Sequence, residues 1–313
     1  MEQPLVSVIA LCYNQEDYLE ETLDSIAKQT YPNFELIITD DVSKDGSVEK
    51  IQRFLKGYPG RSKFIQNQEN LGLCRTLNLA VENANGEFIK VIACDDLLDP
   101  DFLEIMVTEF QKREDDVSVL HSDARVIDEK GRILSPSYLE RNKFDTGTMK
   151  ELGQFDWFLF NIYPVQGSLI RKRFIQEAGY YDPKVITEDQ DMWLRLLRFS
   201  RFDFVPRVTA SYRKHYQTTH NSLTKEIKKN KENLFRNRFT ILLKHLDIQS
   251  RMNLEKALLL EWNRVRKEGL SKDLSSIRKD LSSGFPLRFR FLMKWIDWSP
   301  RYHLNKIIIK EIY

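Results

Sequence analysis

Short continuous apolar runs alternate with apolar residues at helical spacing along the first third of this chain. Residues 6–11 form a run broken only by Ser7, the pattern of a strand buried on both faces. Leu19, Leu23, Ile26 and Ala27 then mark one face of a helix, with Asn14 as the cap candidate before it. Residues 34–39 predict a second strand, Ser43-Lys44-Asp45-Gly46 a turn, and Ile51 with Leu55 a second helix. Residues 64–66 give a short third strand, and Leu73, Leu77, Ala80, Val81 and Ala84 a third helix. Residues 88–93 are a fourth strand, and Pro100 opens a helix carrying Phe102, Leu103, Met106 and Phe110. Strand alternating with helix implies right-handed crossovers and an α/β fold with a mostly parallel sheet flanked by helices.

The pattern changes near residue 117. Residues 117–122 predict a strand, and residues 126–128 and 132–134 flank Glu129-Lys130-Gly131 as a hairpin. Residues 135–165 are aromatic and irregular, which suits a loop region that meets an acceptor. Thr187-Glu188-Asp189-Gln190 matches a capping box, so a helix starts there, with Met192, Trp193, Leu196 and Leu197 on its buried face. Beyond residue 224 the spacing is helical: Leu234, Phe235, Leu242 and Leu246 form one stripe, and Leu254, Leu258, Trp262 and Val265 another.

In an open parallel sheet, ligands bind beyond the carboxyl ends of the strands. The residues there are Cys12-Tyr13-Asn14, Asp40-Asp41 and Asp95-Asp96. Four aspartates at two strand ends repel one another and need a cation or hydrogen-bond donors to offset the cost. Asp95-Asp96 suits Mg²⁺ or Mn²⁺, which take a few carboxylate oxygens together with substrate phosphates; the same residues also fit a turn before the next helix. Asp40-Asp41 could accept hydrogen bonds from a base or ribose, or could belong to a polar turn. Asp189 lies in the first turn of its helix, where the dipole favours a carboxylate. That placement suits a general base and equally suits a residue that only stabilises the helix. No G-x-G-x-x-G follows the first strand and no G-x-x-x-x-G-K-[ST] occurs, which counts against a dehydrogenase and a P-loop ATPase.

Composition alters this picture in one respect. The net charge of +2 conceals an uneven spread: residues 1–224 carry 27 basic and 36 acidic side chains, residues 225–313 carry 21 and 10. Two functional regions follow, an acidic one at 1–224 and a basic helical one at 225–313. Cys12, Cys74 and Cys94 have no metal-type spacing and read as reduced thiols of a cytoplasmic protein. The longest apolar run, residues 5–12, is too short to span a bilayer, and no signal peptide is visible.

The motifs fall in a recognisable order. Pro4-Leu5-Val6-Ser7-Val8-Ile9 through Tyr13-Asn14, Gln29-Thr30-Tyr31-Pro32-Asn33-Phe34, Thr39-Asp40-Asp41-Val42-Ser43-Lys44-Asp45-Gly46-Ser47, Asn70-Leu71-Gly72, Gly86-Glu87-Phe88-Ile89, Asp95-Asp96, Glu188-Asp189 and Trp193-Leu194-Arg195 together resemble the family 2 glycosyltransferases over residues 4–222. The resemblance implies a GT-A fold, with residues 1–224 as the catalytic domain, a Rossmann-like nucleotide-binding half at 1–116 and an acceptor-binding half at 117–224. It implies an inverting, non-processive transfer of sugar from a nucleoside-diphosphate donor, by family default a UDP-sugar, to an acceptor hydroxyl. It implies that Tyr13, Asp41, Arg75 and Asp95 hold the nucleotide, that Asp96 with Asp95 holds Mn²⁺ or Mg²⁺, and that Asp189 is the base. Glu188 would meet the acceptor. His215 or His220 would approach the metal or diphosphate, as in some relatives, or be ordinary surface residues. Two departures stand out: Ala93-Cys94-Asp95-Asp96 lacks the leading carboxylate of Asp-x-Asp-Asp, and no Q-x-x-R-W follows Asp189, unlike processive synthases.

Trp157, Phe158 and Phe160 could stack on an acceptor sugar or pack in the core. Residues 285–313 mix Arg288, Arg290, Lys294, Arg301, Lys306 and Lys310 with Phe289, Phe291, Trp295 and Trp298. That mixture suits either an anionic membrane face, which would present a lipid-linked glycan, or packing on the catalytic domain. The expected pathway is cell-surface polysaccharide synthesis. Two rivals remain. A nucleotidyltransferase needs a Gly-rich loop with a basic residue after the first strand, where this chain has Leu11-Cys12-Tyr13-Asn14. A nucleic-acid-binding protein would use the basic tail but leaves the acidic half unexplained.

Overall fold

The computed structural model describes residues 3–142, 164–215, 237–238, 240–242 and 244–245. Trp157, Phe158, Phe160, His220, the 285–313 segment and most of the predicted C-terminal stripes lie outside those residues. The chain divides into two compact units, Met1–Lys184 with Glu188–Lys225, and Val185–Thr187 with Glu226–Tyr313.

The first unit is built on one nine-stranded sheet in the order β3-β2-β1-β4-β8-β6-β9-β5, with β7 paired to β6. The strands are β1 (Val6–Cys12), β2 (Phe34–Asp40), β3 (Arg61–Gln66), β4 (Phe88–Ala93), β5 (Leu97–Leu98), β6 (Val117–Ile127), β7 (Ile133–Ser135), β8 (Ser168–Arg171) and β9 (Arg201–Arg213). The described helices are α1 (Leu19–Ala27), α2 (Ser47–Gly57), α3 (Leu73–Glu82), α4 (Phe102–Phe110), α5 (Tyr138–Arg141), α6 (Lys172–Glu177) and α7 (Glu188–Leu196).

From β3 to β4 all pairing is parallel, as the alternation of runs and helices requires. Val6, Val8, Ile9 and Ala10 are fully buried because helices cover both faces. Leu19, Leu23 and Ile26 of α1 lie in the same core, and burying each such side chain is worth ~1.5–3 kcal/mol. Beyond β4 the sheet turns mixed: β8 runs antiparallel to both β4 and β6, while β6 and β9 pair in parallel. The predicted hairpin forms between the end of β6 and β7, and the strand predicted at 117–122 runs on into its first arm as one eleven-residue strand, β6. β8, α6 and the thirteen-residue β9 were absent from the sequence reading, since their apolar runs are short or interrupted by charge. Among the described residues no helix is long and apolar enough to cross a membrane.

Candidate active site

The turns after β1 and β2 are joined by their own polar groups. Asn14, in the left-handed region at φ 52, donates its N–H to Ser43 Oγ (2.9 Å) and accepts at Oδ1 from the Lys44 N–H (2.7 Å). It therefore clasps two turns together rather than capping α1, whose start at Tyr18 has no side-chain cap. Glu16 joins the same two turns: its N–H donates to Asp45 Oδ2 (3.0 Å) and its Oε2 accepts from the Gly46 N–H (2.6 Å).

Asp41 is buried at the end of β2. Its Oδ1 accepts from Asn67 Nδ2 (2.8 Å) and the Leu71 N–H (2.8 Å), and its Oδ2 accepts from the Gly72 N–H (2.9 Å). Gly72 sits at φ 77, a conformation that costs glycine nothing, and so lets the chain turn into α3. Arg75 follows in the first turn of α3 and is exposed, whereas Tyr13 after β1 is half-buried.

Asp95 and Asp96 follow β4 and are 7% and 4% exposed. Asp96 Oδ1 accepts from the Arg213 N–H (2.8 Å) at the end of β9, and Oδ2 accepts from Gln166 Nε2 (2.9 Å). His215 Nε2 lies 2.8 Å from Asp95 Oδ2, with its ring edge-on to Tyr18. The Arg213 guanidinium is itself almost wholly buried. It donates through Nε to the Asp95 carbonyl (2.7 Å), through Nη2 to Glu21 Oε2 (2.6 Å) and through Nη1 to the Asp128 carbonyl (3.2 Å), over the Tyr18 ring. One arginine thus ties the acid pair, α1 and the β6–β7 connection into a single body. Burial, then the charge of Asp95, pushes the Asp96 carboxyl up from its ordinary range, and the Arg213 N–H, Gln166 and Lys90 pull it back. Among the described residues no three acidic, histidine or cysteine side chains group closely enough to hold an ion unaided.

Asp189 stands in the first turn of α7, half-buried, with Oδ1 accepting the Gln190 N–H at 2.7 Å. The predicted capping box is replaced by this bond. Thr187 Oγ1 instead donates to Asn237 Oδ1 (3.3 Å). Glu188 is pushed up by burial and then by Asp189 beside it. Two tyrosines in mutual contact feel the charges of this acid and of the pair after β4. Tyr138 of α5 feels the charge of Asp189, its ring meets that of Tyr212 edge-on at 6.2 Å, and Tyr212 feels Asp96 and Asp95. Burial is the main cause in both phenols, and pushes Tyr212 up to about 12.

Asp95, Asp96 and His215 are therefore in direct contact or adjacent, while Asp189 shares with them only the electrostatic surroundings of the Tyr138–Tyr212 pair. Asp41 and Arg75 belong to the neighbouring β2–α3 corner. Arg213, Gln166, Tyr138 and Tyr212 escaped the sequence reading. Arg213 carried no local signal, since the strand it closes shows no clean period. Gln166 carried none.

A curled α/β sheet flanked by helices, with an acid pair after one central strand and a carboxylate at a helix start, is the architecture of GT-A glycosyltransferases. Residues 7–177 match the family described as glycosyl transferase family 2, and the chain belongs to that family and is a glycosyltransferase. It is 33% identical over 216 residues to an uncharacterised glycosyltransferase of Methanocaldococcus jannaschii, covering 68% of this chain and 72% of that one. Against two rickettsial relatives it spans 34% of their length. The fold is similar to that of Staphylococcus aureus TarS (residues 1–349) solved with UDP-GlcNAc, with a TM-score of 0.66, 19% identity and coverage of 91% of this chain and 82% of that one. It is also similar to a Pyrobaculum calidifontis mannosyltransferase solved with GDP-mannose and Mn²⁺, with a TM-score of 0.59, 16% identity and coverage of 94% and 84%.

Proposed function

We propose that this chain is an inverting, non-processive glycosyltransferase that moves a sugar from a nucleoside-diphosphate donor, a UDP-sugar by family default, to a hydroxyl of a glycan or lipid-linked glycan in cell-surface polysaccharide synthesis. The observation that carries the reading is the acid pair Asp95-Asp96, buried at the end of β4 beside His215, on a sheet whose Tyr138–Tyr212 pair feels the charges of both the acid pair and Asp189. Tyr13, the Asp41 corner and Arg75 would seat the nucleotide, and Glu188 would face the acceptor.

Asp189 accepts the proton of the acceptor hydroxyl as that oxygen bonds to the anomeric carbon. The bond from that carbon to the diphosphate oxygen breaks on the opposite face, so the centre inverts. The chemistry of the acid pair fits a hard cation: two adjacent carboxylates would supply part of its oxygen shell and the diphosphate the rest. Mn²⁺ or Mg²⁺ held by Asp96 with Asp95 would supply Lewis-acid stabilisation of the departing diphosphate. Such an ion would depend on the nucleotide for much of its shell, in keeping with the missing leading carboxylate. Residues 285–313 would bring the enzyme to an anionic membrane face, a part of the reading supported by their sequence pattern alone.

Transfer and donor hydrolysis assays over a panel of UDP- and GDP-sugars test the reading. Asp189→Asn should lower kcat by ~10³-fold or more while donor affinity stays within about twofold, the size expected when a general base acts in the transition state. An Asn variant with near wild-type kcat would remove Asp189 from the reaction.

A further inference from the structure

Beneath the acid pair lies a layer of buried polar side chains that the reaction as proposed does not use. Lys90 is the centre of it. It sits mid-strand in β4, fully buried, its ammonium 4.6 Å from the centre of the Phe102 ring. Its Nζ donates to the backbone carbonyls of Gln166 and Ser168. Ser122 Oγ donates to the carbonyl between them, that of Gly167 (3.2 Å), and itself bonds Thr209 Oγ1 (2.5 Å). His121 Nδ1 lies 2.8 Å from Ser168 Oγ. Three successive carbonyls of the turn at residues 166–168 are thus each held from the sheet side. Gly167 leaves no alternative placement, since a Cβ there would come within 2.2 Å of the Ser122 carbonyl oxygen.

A lysine in such a place is costly. Burial pushes Lys90 down to about 7, and the charge of Asp96 acts against that shift. Two side chains, Lys90 and Ser122, hold the three carbonyls, and His121 meets the Ser168 hydroxyl. What the turn delivers is one side chain: Gln166, whose amide donates to Asp96 Oδ2 (2.9 Å) while the Arg213 N–H takes Oδ1. A carboxylate oxygen has two lone pairs, so an oxygen that accepts a hydrogen bond can still ligate. With both oxygens pinned, the carboxylate plane cannot rotate, and its free lone pairs keep one direction. Partners of this kind orient a metal ligand and raise its affinity.

We propose that Gln166 is the positioning residue of Asp96, and that Lys90, acting through the turn at residues 166–168, fixes that amide against the carboxylate. This rests on the reading of Asp96 as a cation ligand. Neither residue touches the donor in this scheme, so both act on the cation and leave the nucleotide corner at Asp41 alone.

The test is Mn²⁺ binding in the presence of saturating UDP or GDP, followed by the loss of the free Mn²⁺ paramagnetic resonance signal, with nucleotide binding in EDTA as the control. Gln166→Leu should weaken Mn²⁺ by ~10-fold or more, the usual size for loss of an outer partner of a ligand, and leave nucleotide affinity in EDTA unchanged. Lys90→Met should shift Mn²⁺ in the same direction. The double variant should be no weaker than the weaker single one, because the two changes remove the same constraint. Should Lys90→Met fail to fold, Gln166→Leu alone decides the matter, since that half-buried side chain carries no anchor of the turn. Gln166→Leu binding Mn²⁺ within twofold of the wild type would overturn the proposal. Additive losses in the double variant would overturn the part assigned to Lys90. A wild type that binds no Mn²⁺ with either nucleotide would overturn the ligand reading of Asp96 and this inference with it.

Discussion

Asp41 and Asp96 follow β2 and β4, on either side of β1, and both are nearly out of solvent. Asp41 is surrounded by neutral donors of its own corner: one asparagine amide and two backbone N–H groups. Three of its roughly four acceptor sites are taken by the loop that leads into α3, so its charge shapes the loop first and reaches a nucleotide second. Asp96 has a different neighbourhood. A second carboxylate is adjacent, a buried lysine lies behind it, and its two donors come from β9 and from the turn before β8, both distant in sequence. The first environment stabilises a carboxylate as part of the structure. The second crowds one and leaves it under strain that an incoming cation would relieve.

Substituting asparagine at each position breaks or sharpens the contrast most directly, and should give opposite results. Asp41→Asn places an amide where two backbone N–H groups point. It should cost ~2–3 kcal/mol of stability, the scale of losing hydrogen bonds to a charged group. Asp96→Asn keeps the shape, removes the repulsion with Asp95, and should leave the urea midpoint unchanged or raise it. Activity should reverse that order: Asp96→Asn should lose ~10²-fold or more in kcat/KM, since it removes charge stabilisation at the leaving group. Urea melts and donor turnover on the two variants suffice. Equal loss of stability in both would mean that the two sites are held alike, and the distinction would be withdrawn.

The layer under Asp96 should also appear in the pH dependence of stability. Burial, and then the charge of Lys90, pushes His121 down to about 3. An unfolded histidine titrates near 6.5, so the unfolded chain gains a proton below that pH while the folded one does not until about 3. Stability is therefore full above the unfolded pKa and declines as the pH falls through this interval. Between pH 7.5 and 5 the loss from this group is ~2 kcal/mol. His121→Gln should be less stable at neutral pH yet lose correspondingly less on acidification. Identical slopes for variant and wild type in urea melts at the two pH values would remove His121 from the account.

The same contrast explains what the sequence disclosed. The corner around Asp41 is made by residues 12–16, 40–47 and 67–72, where turn residues follow clear apolar runs, so its elements could be placed by periodicity. The surroundings of Asp96 are assembled from β4, β9 and the turn at 165–167, none of them neighbours in sequence. No local pattern announces that Gln166 will meet Asp96 or that Arg213 will hold the Asp95 carbonyl. Lys90 was the one legible sign, a lysine inside a run otherwise apolar enough to be read as a buried strand. β8 and β9 went unseen for a related reason. Ser168–Arg171 is four residues long, and Arg201–Arg213 is interrupted by Asp203, Pro206 and Arg207, so neither shows a clean period.

The smallest effect tests how rigidly the Asp41 corner is held. Val42, the next residue, sits at φ 64, a conformation that a β-branched side chain rarely adopts. The left-handed region costs an L-residue ~1–2 kcal/mol, and glycine would remove that cost. Glycine also loses more freedom on folding, ~0.5–1 kcal/mol, so Val42→Gly should gain only a few tenths to ~1 kcal/mol in urea melts. Such strain persists when the surroundings over-determine the backbone. Here the over-determination comes from Asp41, tied to residues 67, 71 and 72, and from the Ser43 N–H held by Asp40 Oδ1 at 3.0 Å. Loosening that frame with Asp41→Asn should let Val42 relax by itself, so the gain from Val42→Gly should shrink in the double variant. If the gain persists in full, the strain is set by the turn alone, and Asp41 does not fix the backbone of its own corner.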